Sequence, residues 1–342
     1  MQTKLEKIDS KNLDEVLEKA AKIIKAGGLV AFPTETVYGL GADAMNETAC
    51  DKIFEVKRRK KDNPLIVHVS DIDMVDELVK EVTDDQKILM QRMWPGPMTL
   101  IFKASDKINP TVTAGGNTVA IRMPKDEISL KLIEKAKTPI AAPSANISTR
   151  PSPTNAGDVM SDLDGSIEMV IDGGDSKIGI ESTVIDLSER PYTILRPGYY
   201  TSEDFEKYVG PVVYDSALRD QDKIPKSPGQ KYKHYAPKTK MIVITGDREN
   251  FKGYIKELEK DYDSIGYILT KQTADLLNLD KVRIISDEAD LEEYSHNIFT
   301  YIRSMDRENF SLIVLEGVKE EGIGIGIMNR IRKSCSNNII YL

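Results

Sequence analysis

The chemistry open to this chain is suggested by cations, hydroxyls and amides placed at the ends of apolar runs. Cys50, Ile53, Phe54 and Lys57 recur at i, i+3, i+4 and i+7. That spacing forms one stripe of a helix and turns Lys57 inward, while Arg58 faces elsewhere. An inward ammonium calls for an anion; the alternative is a solvated basic cluster, 57–61, that complements the helix dipole. Pro143-Ser144-Ala145-Asn146 follows the apolar run 140–142. Open α/β sheets gather ligands beyond the carboxyl ends of their strands, so Ser144 and Asn146 can offer donors to a phosphate or nucleotide. The same four residues also suit an ordinary polar turn. Arg122 interrupts the run 118–123 and needs a carboxylate, either a ligand's, held through two parallel bonds, or one of the chain's own. His68 interrupts 64–69 and reads as a satisfied core histidine or a ligand-facing one. Thr34-Glu35-Thr36, Glu181-Ser182-Thr183 and Arg196-Pro197-Gly198 put further polar groups at strand ends. Trp94-Pro95-Gly96-Pro97 reads as a rigid turn with an aromatic anchor.

The elements that must position these residues are legible from periodicity. Leu13, Val16, Leu17, Ala20, Ile23 and Ile24 make one apolar helical face. Asn12 with Glu15 predicts a capping box, and Gly27-Gly28 a stop. Strands are predicted at 29–32, 64–69, 98–103, 118–123, 140–142, 168–171, 182–187 and 192–195. Helices are predicted at 47–59 and 129–136, with helical turns at 72–80 and 83–93. Helices and strands without strict alternation predict an α+β domain with a mixed sheet. In the last hundred residues the pattern becomes regular. Strands at 241–245, 264–269, 282–286, 312–316 and 338–341 alternate with helices at 250–259, 291–305 and 327–333, which predicts a small doubly wound, Rossmann-like domain with a parallel sheet. Residues 211–238 have little periodicity and carry Pro225, Pro228, Gly229 and Pro237, so they read as a linker. The chain is therefore divided into domains at 1–209 and 240–342, joined by 210–239.

Composition removes several classes of function. The 342 residues are 40% hydrophobic and 30% charged, as in a globular protein rather than a disordered one. No apolar run approaches the roughly 18–20 residues of a membrane span, and the N-terminus has no apolar signal core. Two distant cysteines, Cys50 and Cys335, disfavour a disulfide framework or zinc knuckle and suggest a cytoplasmic setting. Three histidines without an HExxH pair disfavour a histidine-held zinc. A P-loop and a GxSxG elbow are missing, and Gly322-Ile323-Gly324-Ile325-Gly326 only approaches a dinucleotide fingerprint because position 327 is Ile. The net charge of −8 argues against a protein that coats nucleic acid broadly. The charge is uneven: residues 210–240 carry seven basic and three acidic side chains, a net of +4, within an otherwise acidic chain.

Taken in order, the motifs resemble one family. Pro33-Thr34-Glu35-Thr36-Val37-Tyr38-Gly39-Leu40-Gly41, the K-x-R of Lys57 and Arg59, Asn63-Pro64-Leu65-Ile66-Val67-His68, Trp94 to Thr99, Ala120-Ile121-Arg122, the S-x-N of Ser144 and Asn146, Glu181 to Val184 and Leu195-Arg196-Pro197-Gly198 resemble the YrdC-type L-threonylcarbamoyladenylate synthases. Residues 227–237 look like the linker of the two-domain form, and Gly324 to Arg330 like its C-terminal domain. The resemblance implies a twisted mixed sheet around a basic cavity. It implies formation of threonylcarbamoyl-AMP and pyrophosphate from L-threonine, bicarbonate and ATP with Mg²⁺, the product serving tRNA modification next to the anticodon. By resemblance, Lys57 and Arg59 are catalytic. With Asn63, Thr118, Ser144, Asn146, Ser152, Arg196 and the linker's Tyr235 they bind ATP; Thr34, His68, Arg122, Ala142 (through its main chain) and Ser182 hold threonine. No protein side chain is expected to ligate a metal. The basic linker is expected to act as a lid. Arg58 and Lys60 depart from the small residues or proline common beside the K-x-R pair. Two other readings are a non-catalytic RNA-binding module and a carbamoyltransferase of the hydrogenase-maturation type, whose zinc modules two cysteines cannot supply.

Overall fold

The computed structural model describes residues 2–218 and 235–342. Residues 227–234, the greater part of the linker motif, lie outside the described residues. These residues form two compact units, one of 2–148, 152–177 and 181–218, the other of 149–151, 178–180 and 235–342. Among the described residues no helix is long and apolar enough to cross a membrane.

The first unit is built on an eleven-stranded sheet. Its strands are β1 Lys4–Lys7, β2 Val30–Phe32, β3 Gly39–Asp43, β4 Ile66–His68, β5 Met98–Lys103, β6 Thr118–Arg122, β7 Ile140–Ala141, β8 Met169–Asp172, β9 Thr183–Asp186, β10 Tyr192–Arg196 and β11 Val212–Tyr214. Their order is β1-β8-β2-β3-β7-β4-β6-β5-β9-β10-β11, with parallel and antiparallel neighbours mixed. The helices are α1 Leu13–Lys25, α2 Glu47–Lys57, α3 Asp84–Met93, α4 Pro110–Thr113, α5 Glu127–Ala136, α6 Ala156–Leu163 and α7 Ser202–Val209. The two-residue period of a strand sends alternate side chains to opposite faces. Thus Val30 and Phe32 pack with α1 and α5, while Ala31 joins the core that holds Ile53 and Phe54 of α2. Both faces are covered, which explains why the strands read as continuous apolar runs.

The second unit has a five-stranded, wholly parallel sheet of β12 Met241–Thr245, β13 Ile265–Leu269, β14 Val282–Ile284, β15 Leu312–Glu316 and β16 Ile339–Tyr341, in the order β14-β13-β15-β12-β16. Helices α8 Arg248–Asp261 and α9 Lys271–Leu277 contribute to one core, α10 Leu291–Arg307 and α11 Ile323–Ser334 to another. The predicted doubly wound domain is the one observed.

Three differences from the sequence reading have physical causes. The predicted capping box at α1 does not form. Asn12 instead accepts from the Asp9 N–H at 2.8 Å and donates to Lys7 O at 2.8 Å, leaving the helix without a side-chain cap. Strand β1 lacks apolar alternation because it lies at the sheet edge and is held by main-chain pairing to β8. Residues 212–214, assigned to the linker, add β11 beside β10, since Val212 fills the core and main-chain pairing needs no periodicity.

The second unit also incorporates 178–180. Ser295 Oγ on α10 donates to Ile178 O at 2.8 Å, and Ile180 enters the core with Tyr294 and Phe299. Gly179 sits between them at φ +83°, where a Cβ would lie 2.1 Å from Ser295 O. Gly179→Ala is therefore expected to lower the unfolding free energy by about 2–4 kcal/mol, from left-handed strain plus a main-chain clash. Urea denaturation followed by circular dichroism checks this; a loss under about 0.5 kcal/mol would contradict it.

Candidate active site

The cationic end of the site is made by α2 and the loop after β7. Asn46 starts α2 by accepting from Ala49 N at 3.1 Å, and Arg58 ends it in the left-handed region at φ 53°. Between them Cys50, Ile53, Phe54 and Lys57 form the buried face; Lys57 is 1% exposed, whereas Arg58 is exposed. The Lys57 ammonium donates to Ser144 O, to Asn146 O at 2.6 Å and to Asn146 Oδ1 at 3.5 Å. Ser148 N in turn donates to Lys57 O at 2.8 Å. The inward lysine thus meets main-chain and amide oxygens and ties the S-x-N loop to the helix end. Within that loop Ser144 Oγ donates to Asn146 Oδ1 at 2.5 Å, and Asn146 Nδ2 to Ile147 O at 2.8 Å. Arg59 closes the next turn through Nε to Asn63 O at 3.2 Å and Nη2 to Pro64 O at 3.0 Å, leading into β4. Asn63 is buried at the same turn.

A second group is assembled by strand register. Arg122 ends β6, with His68 of β4 opposite it on one side and Thr99 of β5 on the other. Arg122 Nη1 donates to Thr36 Oγ1 at 2.9 Å, and Nη2 lies 2.7 Å from Glu35 Oε2. Thr34 Oγ1 donates to Val37 O at 2.6 Å and lies 2.9 Å from Thr36 Oγ1, so the 34–37 turn presents its polar groups together. Thr99 Oγ1 and Ser182 Oγ are 2.8 Å apart. Arg196 grips Ser182 through Nη2 to Oγ at 2.9 Å and Nε to the carbonyl at 3.0 Å. Ser152 Oγ donates to Glu181 Oε1 at 2.5 Å. Gly198 lets this turn lie against the strand, for a Cβ there would come within 2.5 Å of Thr183 N. Ala142 donates its N–H to Ile66 O at 2.9 Å.

Thr34, His68, Arg122, Ser182 and Arg196, distant in sequence, therefore share one continuous patch, while Lys57, Ser144 and Asn146 share another. Thr118 is exposed at the opposite end of β6 from Arg122. Tyr235 belongs to the second unit, where its ring stacks on Phe299 at 5.1 Å and the Arg330 guanidinium lies 5.8 Å away. Sequence reading assigned no role to Thr36, Thr99 or Glu181. The available signal was a polar residue within an apolar strand or flanking a turn, the same one that drew attention to Arg122. Both alternatives for Arg122 meet here: it has an internal acid, Glu35, and yet Nε and Nη2 lack a hydrogen-bond partner among the described residues. His68 is not a fully satisfied core histidine, because Nδ1 is buried with no hydrogen-bond partner among the described residues. Among the described residues no three His, Cys, Asp or Glu side chains gather as a metal site.

Burial holds His68 neutral, and the nearby Arg122 charge adds to that, pushing its pKa down to about 3. Two like charges at adjacent strand positions would repel without water to screen them.

Residues 22–198 match the Sua5–YciO–YrdC family, described as telomere recombination, and residues 200–336 match the threonylcarbamoyl-AMP synthase C-terminal domain. Threonylcarbamoyl-AMP synthase of Pyrococcus abyssi is 45% identical over 326 residues, 94% of each chain. Its counterpart in Bacillus subtilis is 42% identical over 328 residues, 96% of this chain and 95% of that one. The crystal structure of P. abyssi Sua5 complexed with L-threonine is similar at a TM-score of 0.92 and 42% identity, covering 100% of both chains.

The neutral histidine has a consequence for acid stability. With a folded pKa near 3 and an ordinary value of 6.5, the unfolded chain binds the proton first. The His68 contribution is thus constant above pH 6.5, and stability falls as the pH drops from 6.5 towards 3, by up to about 1.4 kcal/mol per unit. His68→Gln is expected to remove that share of the slope between pH 6.5 and 4.5. Denaturant titrations at several pH values read it, and an unchanged slope would show that His68 is not held neutral.

Proposed function

Because this chain belongs to the threonylcarbamoyl-AMP synthase family, we propose that it is a nucleotidyltransferase forming threonylcarbamoyl-AMP and pyrophosphate from L-threonine, bicarbonate and ATP, with the product used in tRNA threonylcarbamoyladenosine modification. The observation that carries this reading is the pair of patches in one unit, a hydroxyl, imidazole and guanidinium group suited to an amino acid and a lysine–serine–asparagine group suited to a nucleotide. The catalytic domain would be residues 1–209 extended by β11, with the rest of 210–239 as linker and lid, its last described residues joining 240–342 in the second domain. A cytoplasmic setting, expected from the cysteine usage, goes with this role.

The reaction needs positioning more than acid–base chemistry. The threonine amine and bicarbonate form a carbamate and water. The carbamate oxygen attacks the α-phosphorus of ATP, a new P–O bond forms, and the bond to the departing pyrophosphate breaks. The nucleophile is already anionic, so the chain's work is to hold two anionic substrates together and stabilise the phosphate charge. Arg122 would clamp the threonine carboxylate, with Thr34, His68, Ser182 and the Ala142 main chain around the rest. Lys57 and Arg59 would supply fixed positive charge; Asn63, Thr118, Ser144, Asn146, Ser152, Arg196 and Tyr235 would contact the nucleotide. Mg²⁺ would arrive on the ATP phosphates as part of that substrate. An RNA-binding module is less well supported, given the net charge of −8.

The deciding experiment mixes the full chain with ATP, Mg²⁺ and bicarbonate, with and without L-threonine. Threonine-dependent pyrophosphate release without added RNA is expected, and its absence would overturn the reading. Lys57→Ala removes a buried charge and the tether to Ser144 and Asn146, so pyrophosphate release should fall at least about a hundredfold. Wild-type turnover in that variant would remove Lys57 from the machinery.

A further inference from the structure

Glu35 is 7% exposed and pairs with a guanidinium that is itself buried. The groups approach to 2.7 Å without hydrogen-bond alignment, so both Glu35 oxygens and Arg122 Nε and Nη2 are buried and have no hydrogen-bond partner among the described residues. Four orphaned polar atoms of opposite charge in one place are unusual, because a buried polar group without a partner is destabilising. An ion pair present only for the fold would be expected to satisfy itself.

The chemistry of the orphans defines what would satisfy them. Nε and Nη2 form one side of the guanidinium fork, the side that accepts a carboxylate through two parallel bonds; Nη1 is already given to Thr36. The Glu35 oxygens are acceptors only and call for a donor carrying positive charge. An anion alone would leave Glu35 unmet, and a cation alone would leave Arg122 unmet. Asp126, which caps α5, adds negative charge nearby: its carboxyl is raised chiefly by its own burial and further by the charge of Glu35, against its capping bonds and the charge of Lys177. A second carboxylate in electrostatic reach favours a cationic group beside Glu35.

We infer that Glu35 receives the α-ammonium group of the amino-acid substrate while Arg122 takes its carboxylate, so that the pair recognises the zwitterion. This rests on the proposal that threonine binds at Arg122. Glu35 then sits beside the nitrogen that must later join bicarbonate, and selects ligands with a free α-amino group over hydroxy acids of the same shape.

Calorimetric titration of the full chain, without ATP, with L-threonine and with 3-hydroxybutanoate, which lacks only the α-amino group, tests it. Glu35→Gln should weaken L-threonine by about tenfold to a hundredfold and leave 3-hydroxybutanoate unchanged or tighter, collapsing the discrimination between them. Equal weakening of both ligands would show that Glu35 only positions Arg122, and no weakening would show a pair that serves the fold alone; either overturns the inference. Wild-type protein that fails to bind L-threonine would overturn the threonine-site proposal and this inference with it. Retained ATP binding checks that the variant folds. If it does not, Glu35→Asp provides the same comparison, with a severalfold loss for L-threonine only.

Discussion

A guanidinium buried at the end of a central strand sets the terms for the rest of the first unit. Arg122 lies between two neighbouring strands with little access to water, so each group around it must tolerate a fixed positive charge. His68, opposite it on β4, stays neutral. Glu35 and Thr36 are brought from the turn after β2 to face it. Thr99, opposite it on β5, carries the network to Ser182 and so to Arg196. Strand pairing is what makes this possible. Side chains opposite each other in a sheet are held about 5 Å apart, without the entropy loss of ordering a flexible loop.

Lys57 solves a similar problem differently. Its ammonium is buried at a helix C-terminus, where the dipole favours a cation, and it faces the main-chain oxygens of Ser144 and Asn146. One side chain thereby fixes a loop nearly ninety residues later in the chain and keeps positive charge beside that loop's hydroxyl and amide. The two patches use few histidines and no reactive thiols: burial raises the Cys50 thiol to about 12, which keeps it protonated. That economy agrees with a reaction whose nucleophile arrives already charged.

Much of this was legible in the sequence, and the failures are instructive. The ends of β5, β12 and β15 were read to the residue because apolar runs bounded by breakers leave little choice. The inward turn of Lys57 followed from helical spacing alone. Strands β1, β3 and β11 were not recognised, because main-chain pairing to β8, to β2 and to β10 holds them and that pairing leaves no mark in their own residue pattern. The missing cap at Asn12 has the same origin, since its side chain was taken by Asp9 and Lys7. Local propensity cannot anticipate a competing partner.

By itself the sequence determined the two-part architecture, the parallel sheet of the last hundred residues and the order of the motifs, because periodicity and composition act locally along the chain. Only the tertiary structure decided that Arg122 would be paired with Glu35 and still left with unused donors among the described residues, that His68 Nδ1 would stay unpaired there, and that Thr99, opposite Arg122, would meet Ser182. Those outcomes depend on strand register and on angles between side chains from separate strands. A shift of one residue along its strand would turn Arg122, His68 or Thr99 to the other face of the sheet.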